Sequence, residues 1–218
     1  MAACGQIEQL LRDPRIWPAR GMASAASSVV ATGWPSLDHA LGGGWPLGQL
    51  TELLVDGSGT GEITLLLPAL VRLLRPSPDG TEPGDWAMFV APPHVPYAPA
   101  LRRAGVDLAR LLVVQARREP DVLWAMEQAL RPRSCAAVVG WSQTAGSSAL
   151  RRLQLAAEES GAWVVLLRPA HRQPQRSPAP LRIGLRRGPR GHRLDLHVIR
   201  RRGGVPVTTG VDVDGGAA

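Results

Sequence analysis

The chain contains no lysine: all 25 of its basic residues are arginine. A nucleotide phosphate loop of the ordinary kind, which needs a lysine ammonium on the β/γ oxygens, is therefore excluded. Cysteine is scarce too. Cys4 and Cys135 lie far apart and match neither a zinc nor a redox spacing, so a metal ribbon or disulfide scaffold is not expected and a reduced, cytoplasmic protein is. No apolar run reaches the ~18 residues that span a bilayer, so no membrane partner is expected. Glu8, Arg12 and Asp13 interrupt the apolar core that a signal peptide would need. His39 and His94 have no second ligand or base near them in sequence, and no metal, catalytic residue or cofactor is assigned.

What is present fits one α/β domain with a full core: 218 residues, 44% of them hydrophobic. The net charge of +7 and pI near 11.1 favour a polyanion or an acidic protein surface as partner. Exclusive use of arginine, with much Ala, Gly and Pro, equally fits a GC-rich coding bias, so the position of the charge says more than its total. Between Arg168 and Arg202 stand eleven arginines and one acid, Asp195.

The organising stretch is Val29–Thr64. It reads as a leading strand, a short helix, a glycine turn, a buried strand and a second glycine-rich turn, DGSGTGEIT, opening a long apolar helix. A working phosphate loop has the form G-x-x-x-x-G-K-[ST]. Here Asp56 stands at the first glycine position, Glu62 at the lysine and Ile63 at the hydroxyl that holds Mg²⁺, while Gly57, Gly59, Gly61 and Thr64 keep the loop's general form. Two carboxylates at a polyphosphate site oppose nucleotide binding by like charge.

Residues 1–28 read as a short helix and flexible linker carrying Trp17, 29–205 as the α/β domain, and 206–218 as a disordered tail. Within the domain, strands are expected at 86–91, 111–115, 135–139 and 162–167. Helices are expected at 62–75, 122–130 with Asp121 as N-cap, and 147–159. The apolar run Cys135–Val139 without alternation suits a central parallel strand. Alternation at Leu181, Ile183 and Leu185, and again at Leu194, Leu196 and Val198 around the turn GPRG, gives a C-terminal β-hairpin. Trp86, Trp124 and Trp163 are assigned to the core. Trp34 and Trp45 either pack beneath the glycine turn or form a partner surface.

The words TGWPSLDHALGGGWPLGQLTEL, FVAPPHVPYAPALRRAGVDLARLLVVQ and IRRRGG resemble the RecA family core, across about residues 29–205. The resemblance implies a RecA-like α/β fold: a mostly parallel central sheet, helices on both faces and a C-terminal β-hairpin extension. It also marks departures. Pro93 stands where the family has the glutamate that activates water, and Gly140 where it has the Mg²⁺-linked aspartate. With Glu62 and Ile63, four catalytic roles have lost their side chain, and the expectation is a protein that is not an enzyme. Segments 142–148 and 169–180 also depart from the family's DNA-binding loops.

Within the RecA fold, the words WPLGQLTELLVDGSGTGE, LLLPALVRL, VAPPHVPYAPALRRAGVDLARLL, VLWAMEQAL and HRLDLHVIRRRGG resemble the ImuA group. That resemblance implies an accessory role in SOS-induced translesion DNA synthesis and mutagenesis, with an ImuB-type polymerase-like partner, an error-prone replicative polymerase complex and a nearby RecA filament. Arg200 and Arg202 fall on the basic pair that in RecA reaches a nucleotide across a subunit interface. Single-stranded DNA or protein contact is assigned to Arg182, Arg186, Arg187, Arg190, Arg193, Arg200, Arg201 and Arg202, against the alternative of a solvated arginine face without interleaved aromatics. The competing class is a SulA-type inhibitor of the tubulin-like division protein.

Overall fold

The computed structural model of the protein describes residues 28–76, 85–131, 135–172, 177–189 and 191–213. The start of the organising stretch folds as a short strand and a short helix, as expected. Strand β1 (Val29–Val30) leads into helix α1 (Pro35–Leu41), and β2 (Trp45–Pro46) pairs back on β1. Pro35 suits the first turn of α1, where its missing N–H is not needed, and Gly42 ends the helix at φ +79°, which a side chain disfavours.

Strand β3 (Gln49–Val55) is buried along its whole length, as a central strand covered on both faces must be. The glycine-rich turn follows it and opens α2 (Glu62–Leu73). Then come β4 (Trp86–Val90), α3 (Ala98–Arg103), β5 (Leu111–Val114), α4 (Glu119–Leu130), β6 (Cys135–Trp141), α5 (Ser147–Ser160) and β7 (Trp163–Pro169). The last strands are β8 (Leu181–Arg187), β9 (Arg193–Arg200) and β10 (Val207–Asp212).

The main sheet has the order β10-β9-β8-β3-β7-β6-β4-β5. Strands β8, β3, β7, β6, β4 and β5 run parallel, and β9 and β10 close that edge antiparallel. One core lies between the sheet and α2, with Leu53, Val55, Val139, Val165, Leu167 and Leu185 facing Leu65, Ala69 and Leu70. The other lies under α4 and α5, where Leu50, Val138, Val164 and Leu166 meet Met126, Leu150 and Leu153. Along β9 the alternation is clean: Leu194, Leu196 and Val198 are buried, while Arg193 and His197 are exposed.

Three expectations change. The tail from 206 is not wholly disordered, because Val207–Asp212 pairs in register with Arg193–Val198 of β9. The C-terminal hairpin is thus the start of a three-stranded half-sheet, and its first strand lies parallel against β3. Helix α4 begins before Asp121. Arg118 occupies the N-cap position and Pro120 the first turn, and Asp121 lies inside the helix at 3.7 Å from Arg118 Nε. Of the tryptophans given to the core, Trp163 is fully buried, but Trp86 is 38% and Trp124 62% exposed. Trp45 is buried beside Trp163, with ring centroids 5.8 Å apart, and Trp34 is buried against α2, so both pack beneath the turn. The N-terminal helix, Cys4 and Trp17 lie outside the described residues.

Candidate functional site

Strand β3 ends at Val55, and the loop Asp56–Gly61 turns the chain into α2, leaving the first amides of that helix without carbonyl partners. Gly59 and Gly61 both adopt positive φ, +76° and +108°, which lets successive amides converge inward as an anion-binding nest. In this chain the nest is filled by the chain itself. The Gly59 N–H donates to Glu62 Oε1 at 3.1 Å and the Gly61 N–H donates to Oε2 at 3.0 Å. Glu62 is only 4% exposed. Its carboxylate therefore takes up backbone donors that in a working loop would hold phosphate oxygens, and it does so at a helix N-terminus, where negative charge is stabilised. The expected like-charge repulsion acts here as occupancy: Glu62 is an internal anion folded onto the loop. Ile63 presents a hydrocarbon where a metal-binding hydroxyl is required.

Beside the loop a cavity of about 380 Å³ opens over the C-terminal ends of the parallel strands, the usual place for a ligand in such a sheet. Asp56, Glu62, Pro93, Arg117, Glu119 and Trp141 are among its lining residues. Pro93 brings no carboxylate. Gly140, at the aspartate position, is more than an empty place. A Cβ there would lie 2.2 Å from Met126 Sδ, so a side chain at this position requires the buried Met126 to move. Ala91, at the end of β4, holds φ +53°, a left-handed conformation uncommon for alanine. The loop after β6 is tied down as well. Ser142 Oγ donates to Glu119 Oε2 at 2.7 Å, the Gln143 N–H donates to Glu119 Oε1, and Arg168 Nη2 donates to the Ala145 carbonyl at 2.6 Å. Among the described residues no cluster of three or more His, Cys, Asp or Glu side chains is placed to hold a metal ion.

The arginines assigned to contact fall into different environments. Arg182 is not on the surface. It is 5% exposed, and its Nε lies 2.8 Å from Glu52 Oε2, while Arg168 Nη1 donates to Glu52 Oε1 at 2.6 Å. Register explains this: Arg182 of β8 sits directly opposite Glu52 of β3, and Arg168 lies two residues beyond Glu52's partner Leu166 on β7, on the same face. Arg182 is thus a structural counter-ion and not a candidate for phosphate. Arg200, aligned with the family's basic pair, sends its Nη2 to the carbonyls of Ser177 and Ala179 and so fastens the segment leading into β8. Arg201 lies between Gly42 and Gly204, where an added Cβ would approach its side chain.

Arg186, Arg187, Arg193 and Arg202 are exposed. Arg186 Nε lies 3.1 Å from Asp56 Oδ2, Arg187 Nη2 donates to the Gly59 carbonyl at 3.0 Å, and Arg193 Nε donates to Asp195 Oδ1 at 3.1 Å. Two of these, Arg186 and Arg187, therefore brace the closed loop from β8. Sequence reasoning did not find this coupling, which depends on β8 running parallel beside β3. Arg190 lies outside the described residues.

No family model matches the chain. ImuA of Caulobacter vibrioides is 38% identical over 149 residues, 67% of this chain and 58% of that protein. The cell division inhibitor SulA of Edwardsiella piscicida is 28% identical over 107 residues, 49% of this chain and 60% of SulA. RecA of Crocosphaera subtropica is 33% identical over 114 residues, 51% of this chain and 30% of RecA. The chain spans less than two thirds of the length of each of these relatives. The architecture is that of a RecA-like core with antiparallel C-terminal strands.

Proposed function

The chain belongs with ImuA in the RecA/SulA group, and on that premise we propose that it is a non-catalytic accessory protein of translesion DNA synthesis, assembling an ImuB-type partner with an error-prone polymerase. The observation that carries the reading is the Glu62 carboxylate on the Gly59 and Gly61 amides, a RecA-like loop filled from within while the sheet around it is kept. Gly140 under Met126 and Pro93 at the cavity rim support it, since neither position can supply an acid for metal or water. A protein so built contributes shape and surface, and its partners contribute the chemistry. The exposed Arg186, Arg187, Arg193 and Arg202 are the residues offered for DNA or partner contact, with a RecA filament as a further partner.

The test is co-purification with an ImuB-type protein from the same genome. Deleting the last strands is not a usable control, because it would uncover β3 and strand Glu52 without Arg182. The control is instead Arg186→Glu with Arg202→Glu on the intact chain. A stable complex of the parent protein supports the reading, and its loss in the double variant places the contact on the β8–β9 side. Failure of the parent protein to bind such a partner overturns the reading.

A further inference from the structure

Along α2 and just past its end, from Thr64 to Arg75, lies a second groove, about 560 Å³ in volume, that the proposed function does not use. Its wall is apolar: Trp34, Pro68 and Val71 line it. The wall is also fixed in place. Trp34 Nε1 donates to the Leu65 carbonyl at 3.1 Å, and Gly33 is pressed so closely on Pro68 that a Cβ would stand 2.4 Å from it. The rim is cationic. Arg72, Arg75 and Arg103 border the groove, all three exposed, and no acidic residue lines it. Arg72 makes one long contact, to the Ala31 carbonyl at 3.4 Å, and no carboxylate among the described residues pairs with any of the three. Arg103 also borders a smaller cavity on α3 with Arg102, so the positive surface continues beyond the groove.

An apolar wall and a guanidinium rim with no carboxylate partner among the described residues are together the complement of a peptide with carboxylates and an apolar side chain. Nucleic acid fits less well. The one aromatic lining the groove, Trp34, is 7% exposed and offers no face on which a base can stack.

We propose that this groove binds an acidic segment of a partner protein, with its carboxylates on Arg72, Arg75 and Arg103 and an apolar anchor against Pro68 and Val71. None of residues 56–62 lines the site, and it does not depend on the identity of the polymerase partner.

The experiment is fluorescence anisotropy on the full chain with a fluorescein-labelled peptide of roughly fifteen residues alternating Asp or Glu with Leu. A Lys/Leu peptide of equal length and an oligothymidine serve as comparison probes. Binding of the acidic peptide alone is expected, weakening as salt rises. The triple substitution Arg72→Ala, Arg75→Ala, Arg103→Ala should lower affinity by about tenfold or more, as loss of desolvated charge-assisted contacts does. Arg151→Ala, an exposed arginine on α5, should leave affinity within about twofold. Asp79→Asn with Glu82→Gln, which neutralises the acids following Arg75 in sequence, should do the same. Since all three rim arginines are exposed, an unchanged thermal melt of the triple variant separates lost binding from lost folding. No binding of the acidic peptide, equal binding by the triple variant, displacement by oligothymidine, or a large gain on neutralising Asp79 and Glu82 would each overturn the proposal.

Discussion

Glu52 and Glu62 are both buried carboxylates on one strand–loop–helix unit, and the fold neutralises them by opposite means. Glu52, in mid-strand, is met by two guanidinium groups, from Arg168 on β7 and Arg182 on β8. Glu62, at a helix start, is met by main-chain amides of its own loop. The first arrangement ties three strands together and belongs to the scaffold. The second takes up the inward-facing amides of the loop. Side by side they show a RecA-like architecture with one buried carboxylate held by side chains of neighbouring strands and another held by its own loop.

The comparison breaks most visibly at Glu52. Replacing it with alanine leaves Arg168 and Arg182 buried without counter-charge, and a loss of about 3–5 kcal/mol in unfolding free energy is expected by urea titration. A loss below about 1 kcal/mol would mean that water reaches the pair and that the two glutamates do not differ in kind. Next in size is Gly140→Asp, which forces a Cβ and a carboxylate into the space of Met126 Sδ. Overpacking with an unpaired buried charge should cost at least about 1–3 kcal/mol, and Met126→Ala in the same chain should recover part of it.

Glu62→Ala comes third. It removes two charge-assisted hydrogen bonds from a loop that can resolvate, for an expected cost of about 1–3 kcal/mol, and it frees the Gly59 and Gly61 amides for an added anion. Inorganic phosphate should therefore raise the melting temperature of this variant and not that of the parent chain. Smallest is Arg186→Ala, whose partner Asp56 is 56% exposed at the side chain, so the pair is screened and the change should stay within about 1 kcal/mol. Cys135 supplies a chemical check on the packing of β6. Burial, with Asp85 nearby, raises its thiol pKa, so alkylation by iodoacetamide at neutral pH should be slow until the protein unfolds.

The central strands were legible because a run such as Trp163–Leu167, apolar throughout, has no other stable place than inside a parallel sheet. The changed loop was legible as well, since Glu62 and Ile63 stand at positions whose chemistry is fixed. What the sequence concealed was direction. A glutamate at a lysine position can point at a ligand or fold back on its own loop, and only the positive-φ glycines and the resulting amide geometry decide that it folds back.

The arginines posed the same difficulty. Arg182 and Arg186 are alike in composition and differ in fate because β3 places a glutamate opposite one and its exposed end beside the other. Strand β10 lies in the stretch read as tail, although Val207, Thr209 and Val211 alternate with other residues along it. Trp124 was misplaced because an apolar helix segment was read without its phase. Val122, Leu123 and Met126 face the sheet, and Trp124 faces out.

The most direct measurement is calorimetric titration of Mg-ATP into the parent chain and, in parallel, of inorganic phosphate into Glu62→Ala. A loop filled by its own carboxylate predicts no heat of binding with Mg-ATP up to millimolar concentration and measurable phosphate binding once the carboxylate is gone. Saturable binding of Mg-ATP by the parent chain would contradict it.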